Sequence, residues 1–125
     1  MRQPFAEKEQ LKQIITEKLH KAENEGLFIQ FGCTLVKLSR HIGVCRTYLS
    51  RYFKYHTEFK NFNHYLNHKR IEDAQKILIQ QPDILLKEIY SELGYKSERL
   101  FYNEFKKVTG KSPKYYIKEY FANKI

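Results

Sequence analysis

The chain has 125 residues, 42% of them hydrophobic and 30% charged, enough for one compact domain or for two small lobes sharing a helix, and too few for a large catalytic scaffold. Its 23 Lys and Arg against 14 Asp and Glu leave a formal charge of +9, which points first to a polyanionic partner. No apolar run approaches the roughly 20 residues needed to cross a bilayer, and the N-terminus lacks a signal-peptide pattern, so a soluble, cytoplasmic protein with no membrane contact through this segment is expected. The two cysteines, Cys33 and Cys45, fit no usual zinc spacing and are read as reduced residues at helix boundaries.

Gly and Pro are scarce, and apolar residues recur every three or four positions, which predicts an all-α chain of about seven helices with no strand. The first helix is expected over residues 7–22, with Leu11, Ile14, Ile15, Lys18 and Leu19 on one side and Asn24-Glu25-Gly26 as its stop. Residues 26–32 form an apolar connector. The second helix begins after Thr34, a natural N-cap, turns Leu35, Leu38 and Ile42 inward and stops at Gly43. A third follows over residues 46–56. The fourth, residues 61–80, carries Phe62, Tyr65, Leu66, Ile71, Ala74, Ile77 and Leu78 until Pro82 stops it, and would reach about 30 Å at 1.5 Å per residue. The fifth runs from residue 83 or 86 to 93, the sixth over 97–107 and the seventh over 113–121, with Gly94 and Gly110 at the breaks.

An internal echo organises these elements. Gly43 and Gly94 each follow a short amphipathic helix, at an offset of 51 residues, and each precedes a second helix. At 100° per residue, Arg46, Thr47, Ser50, Arg51 and Lys54 fall within an arc of roughly 140°, opposite Tyr48, Leu49, Tyr52, Phe53 and His56. A shift of 52 residues brings Glu98, Arg99, Tyr102, Asn103 and Lys106 to the outward arc, opposite Leu100, Phe101, Phe105 and Val108. A short helix, a tight turn and a second helix with a polar outer stripe is the arrangement that helix-turn-helix recognition of DNA requires. Arg can fork onto guanine, Asn can pair with adenine, Ser or Thr can serve several bases, and Glu98 could accept from cytosine. A solvated helix face is the readier explanation of one such stripe alone; the pair, together with the charge, favours recognition.

Three segments of the first half, Leu38-Ser39-Arg40-His41-Ile42-Gly43-Val44, Tyr48-Leu49-Ser50-Arg51-Tyr52-Phe53-Lys54 and Tyr65-Leu66-Asn67-His68-Lys69-Arg70-Ile71, resemble the DNA-binding domain of AraC/XylS-type bacterial transcription regulators. So do Glu88-Ile89, Leu93-Gly94-Tyr95, Phe101, Phe105-Lys106-Lys107, Gly110-Lys111-Ser112-Pro113 and Tyr116 in the second. The resemblance, over residues 34–120, implies two helix-turn-helix subdomains joined by a long linker helix, with two recognition helices in adjacent major-groove segments of double-stranded DNA. It divides the chain into residues 1–33 (N-terminal helix and connector, packed on the first lobe), 34–60 (first helix-turn-helix), 61–82 (linker helix) and 83–125 (second helix-turn-helix and C-terminal helix). By motif position it assigns base reading to Arg46, Thr47, Ser50 and Arg51 in the first unit and to Glu98, Arg99, Tyr102 and Asn103 in the second. Arg40, Lys54, Lys106, Lys107 and Lys111 are assigned to phosphate. It also implies RNA polymerase as a partner, and a sensor, receiver or dimerisation domain that nothing in this chain resembles.

The chain departs from the family pattern at four places. Thr57-Glu58-Phe59-Lys60 has no Gly and is one residue longer, Tyr90 replaces a small Ala, Asn103 stands where Arg is frequent, and Leu85 stands where a capping residue is usual, with Asp83 as a substitute.

Other readings are weaker. His64 and His68, four apart, have no third ligand, so no metal or other cofactor is expected. The 10 Tyr and 9 Phe could stack bases, but Tyr52, Phe53, Phe62, Phe101 and Phe105 fall at core spacing. The first helix mixes Lys8, Lys12, Lys18 and Lys21 with Glu7, Glu9, Glu17, Glu23 and Glu25, which disfavours a membrane surface. No nucleophile motif or phosphate-binding loop supports an enzyme. The alternatives carried are a nucleic-acid binder of low sequence preference and a helical protein-interaction module.

Overall fold

The three- and four-residue spacing of apolar side chains is realised as helix throughout the computed structural model, which describes residues 5–123. Residues 1–4 and 124–125 of the expected segments lie outside it, as do the side chains of Glu7 and Lys8. Among the described residues there are seven α-helices and no strand: α1 (Phe5–Asn24), α2 (Leu35–Ile42), α3 (Arg46–His56), α4 (Phe62–Gln80), α5 (Leu86–Ile89), α6 (Glu98–Thr109) and α7 (Pro113–Ala122), with a 3₁₀ turn at Leu27–Ile29 inside the connector. They form two compact units, Met1–Phe28 with Cys33–Tyr65 and Ile29–Gly32 with Leu66–Ile125. Helix α4 begins in the first and continues into the second.

In the first unit α1, α2 and α3 pack on one another and bury Ile15, Leu19, Leu38, Leu49 and Phe53. Ile14, expected on the inward side, is 45% exposed, because the buried stripe follows Ile15, Leu19 and Ala22 and Ile14 lies one residue off it. Lys18 belongs near that stripe for a polar reason: its Nζ donates to the Ile42 carbonyl at 2.9 Å, satisfying one of the free acceptors that end α2. Aromatic rings close the other side, with Phe28 edge-on to Tyr65 at 5.4 Å and Phe53 5.1 Å from Tyr65, geometry worth about 0.5–1.5 kcal/mol per pair beyond burial. At the start of α4, Asn61 Oδ1 accepts the His64 N–H at 2.9 Å and His64 Nδ1 accepts the Lys60 N–H at 3.1 Å. His64 thus stands where a capping box usually has an acid, and that ring nitrogen serves backbone.

The second unit has its core in Ile71, Ala74 and Leu78 of α4, Ile89, Leu93 and Tyr95 around the turn, and Phe101 and Phe105 of α6. Helix α5 is shorter than predicted. Regular α-helix covers only Leu86–Ile89, after which Gly94 N–H bonds Ser91 O and Tyr95 N–H reaches back to Tyr90 O, both at 3.1 Å. This paired closure around a left-handed glycine, φ +90° at Gly94, ends a helical turn. Nor does Asp83 cap α5. The helix starts at Leu86, its N-cap Leu85 has no side-chain acceptor, and Glu88 Oε2 takes the Leu85 N–H at 3.4 Å, forming half of a capping box.

Among the described residues of this unit, Arg70 is the buried charged one. Its guanidinium donates to Gln30 O at 2.9 Å and lies 5.1 Å from the Tyr95 ring centre. Tyr95 in turn donates its phenol to Asn67 Oδ1 at 2.9 Å. Burial pushes that phenol well above its ordinary pKa, Arg70 pulling it partly back and Glu104 raising it further, so it remains a donor.

Candidate nucleic-acid interface

Each half of the echo is built by local chemistry. Thr34 caps α2 by accepting the Lys37 N–H at 3.2 Å, and Gly43, at φ +71°, ends it with its N–H on Ser39 O. Ser39 Oγ then donates to Val44 O at 2.6 Å, which tightens the turn into α3. In the second unit Ser97 caps α6 by accepting the Leu100 N–H at 3.1 Å, three residues after Gly94.

The far ends of α3 and α6 are alike in a way that sequence reasoning missed. Thr57 Oγ1 donates to Phe53 O at 2.6 Å and accepts the Phe59 N–H at 3.1 Å. Thr109 Oγ1 donates to Phe105 O at 2.8 Å and accepts the Lys111 N–H at 3.1 Å. The two threonines are 52 residues apart, the offset that relates the two polar stripes, and that spacing was the available signal. The second turn then passes through Gly110 at φ +79°. The first instead keeps Thr57 extended at φ −135° and spends its additional residue before Asn61, so it needs no glycine. Thr57→Val and Thr109→Val should each cost about 1 kcal/mol, the net worth of such bonds, measurable as a shift in urea midpoint.

All eight residues assigned to base reading are exposed: Arg46, Thr47, Ser50 and Arg51 on α3, and Glu98, Arg99, Tyr102 and Asn103 on α6. Opposite them Leu49, Tyr52, Phe53, Phe101 and Phe105 are buried, so each helix is held through its back. Of the residues expected inward, Tyr48 and Leu100 are each 41% exposed, His56 is exposed and Val108 is half-buried. Tyr48 and Leu100 hold the third position of α3 and α6, beside the polar stripe, where the 100° step leaves a side chain at the edge of the buried face.

The cations assigned to phosphate differ in their surroundings. Arg40, Lys54 and Lys106 are exposed, and Lys54 Nζ lies 5.3 Å from the Tyr55 ring centre. Lys107 pairs loosely with Glu104 at 3.5 Å. Lys111 is half-buried and its Nζ is 2.7 Å from Glu119 Oε1, so a phosphate would have to compete with a carboxylate for it. Cys45 is the exposed N-cap of α3, Cys33 is buried, and neither is in a disulfide.

Residues 38–119 match the helix-turn-helix domain family. Over 87 residues the chain is 33% identical to the raffinose operon transcriptional regulatory protein RafR of Pediococcus pentosaceus, covering 70% of this chain and 31% of RafR. Over 73 residues it is 38% identical to the uncharacterized HTH-type transcriptional regulator YijO of Escherichia coli strain K12, covering 58% of this chain and 25% of YijO. The chain thus spans less than a third of the length of these curated relatives. Among solved structures it resembles the C-terminal domain of AraT, a response regulator from Geobacillus stearothermophilus, with a TM-score of 0.73 at 28% identity over 85% of this chain and 84% of that one. The C-terminal domain of the two-component response regulator yesN from Fusobacterium nucleatum gives 0.69 at 28% identity, over 82% of this chain and 97% of that one. With the family matched over residues 38–119, most of its length, the chain belongs to the AraC/XylS-type helix-turn-helix family.

Proposed function

We propose that this chain binds a specific sequence of double-stranded DNA and thereby regulates transcription, with α3 and α6 entering adjacent major-groove segments. The observation that carries this reading is the pair of exposed stripes, each on a helix that follows a glycine-stopped turn and ends in the same threonine closure. The family membership supports it, as does the formal charge of +9. Arg46, Thr47, Ser50 and Arg51 read bases in one segment, and Glu98, Arg99, Tyr102 and Asn103 in the other. Leu100 and Tyr48, both partly exposed, add apolar surface of the kind that meets a thymine methyl. Arg40, Lys54, Lys106 and Lys107 position the protein on phosphate, and Lys111 contributes once it leaves Glu119. RNA polymerase and a sensor or dimerisation domain are the further partners, and the cytoplasm is the compartment, that this role implies.

The test is selection from a random double-stranded pool at near-physiological salt. Two short motifs about one helical turn apart are expected. A single motif would restrict reading to one unit. Binding without enrichment would favour a low-specificity binder, and no binding would favour a protein-interaction module. On the selected duplex, Lys54→Gln and Lys106→Gln should each lower the slope of log affinity against log salt by about 0.9 and weaken all sequences alike.

A further inference from the structure

In the first unit a cleft of about 300 Å³ opens between α1 and α3, at the lower end of the roughly 300–1,000 Å³ typical of small-molecule sites. It is lined by Leu11 and Ile15, by the rings of Tyr48, Tyr52 and Tyr55, and by the His56 imidazole. Lys12 and Arg51 supply cations, and no carboxylate lines it among the described residues. Tyr52 is fixed in place. Thr16 Oγ1 gives its proton to Lys12 O at 2.9 Å and lies 2.8 Å from the Tyr52 phenol oxygen, so Tyr52 must donate to Thr16. Tyr48 and Tyr55 remain 41% and 67% exposed, leaving aromatic surface open beside two positive groups.

Tyrosine rings favour a flat ring over a flexible acyl chain, and a guanidinium favours a planar two-oxygen anion that it can grip with both arms. From this chemistry we infer that the cleft is a binding site for a small planar aromatic carboxylate, and that its occupancy withdraws Arg51 and Tyr48 from DNA. The site itself stands on the cleft; the effect on DNA rests on the base-reading role proposed for Arg51.

The experiment is an amide NMR titration of the chain with 2-naphthoate, alongside its neutral analogue 2-naphthalenemethanol and the ring-free anion decanoate. Expected are saturable shifts confined to α1 and α3 around Lys12, Tyr52 and Tyr55. Binding of the neutral analogue, and of 2-naphthoate to Lys12→Gln, should be weaker by about tenfold, as for the loss of one charge-assisted contact. Shifts that do not saturate, or that spread over both units, would overturn the site. Decanoate binding as tightly as 2-naphthoate would overturn its preference for a ring. Saturating 2-naphthoate should also weaken binding to the selected duplex, less so in Lys12→Gln. Saturation of the cleft with DNA affinity unchanged would retain the site and overturn the regulatory claim. Failure to find any preferred DNA would count against the base-reading role and leave the NMR result to decide the site.

Discussion

Replacing Gly94 with Ala is expected to destabilise the second unit by about 2–5 kcal/mol, from roughly 1–2 for a left-handed residue with a Cβ and a further 1–3 for overpacking. A Cβ there would lie 2.6 Å from an Arg70 guanidinium nitrogen and 2.8 Å from the Ile29 carbonyl oxygen. The carbonyl is backbone and cannot swing aside. The guanidinium is held by Gln30 O and the Tyr95 ring, so moving it would disturb a buried charge. Gly43 is the natural control: it too has positive φ, at +71°, but an added Cβ would meet nothing within 4 Å. Gly43→Ala should therefore show only the conformational cost, about 1–2 kcal/mol. Urea unfolding of the two variants, followed by amide signals in each unit, checks both; equal costs would mean that the contact with Arg70 and Ile29 relaxes freely.

The second large effect is on recognition. Arg51→Ala should weaken binding to the selected duplex by about 1–3 kcal/mol, roughly 5- to 150-fold, while changing affinity for scrambled duplex little. Arg51 is exposed on α3, and Leu49 and Phe53, two residues to either side, are buried, so the substitution removes a surface fork and leaves those core residues in place. Arg51→Lys should recover the non-specific component and little of the specific one, because an ammonium cannot present two parallel donors to one guanine. Anisotropy titrations of both duplexes at one salt concentration decide this. Equal losses on the two would make Arg51 a phosphate contact.

The features legible in the sequence are those determined within one turn of chain. Thr34 as a cap, the glycines at 43, 94 and 110, and the buried faces of α3 and α6 follow from neighbours three or four residues away, and sequence reading located them; Ser97, read as the first residue of its helix, is instead the cap. The family resemblance picked out eight residues for base reading, and all eight are exposed on α3 and α6. What escaped depended on partners far along the chain or on geometry beyond periodicity. A 100° wheel puts Tyr48 and Leu100 near the inner arc, but only the actual packing leaves them partly in solvent. The early end of regular helix in α5 reflects the paired backbone closure around Gly94, which apolar spacing does not encode. The absence of a glycine after α3 stood out only as a departure from the family pattern; Thr57 supplies in hydrogen bonds what Gly110 allows in φ, at the expense of one residue. Arg70 entered the sequence reading only as part of a family segment; its burial depends on Gln30, 40 positions earlier.

That last contact bears on how the polypeptide can be cut and made. Because Ile29–Gly32 belongs to the second unit, residues 66–125 expressed as a contiguous fragment would lack the carbonyl that Arg70 uses and the backbone against which Gly94 sits. A minimal excised second module would have to bring that four-residue strip with it, by permutation or as an added peptide. During synthesis the same strip leaves the ribosome well before Arg70 and Gly94 exist, so its own docking must wait for the second half of the chain.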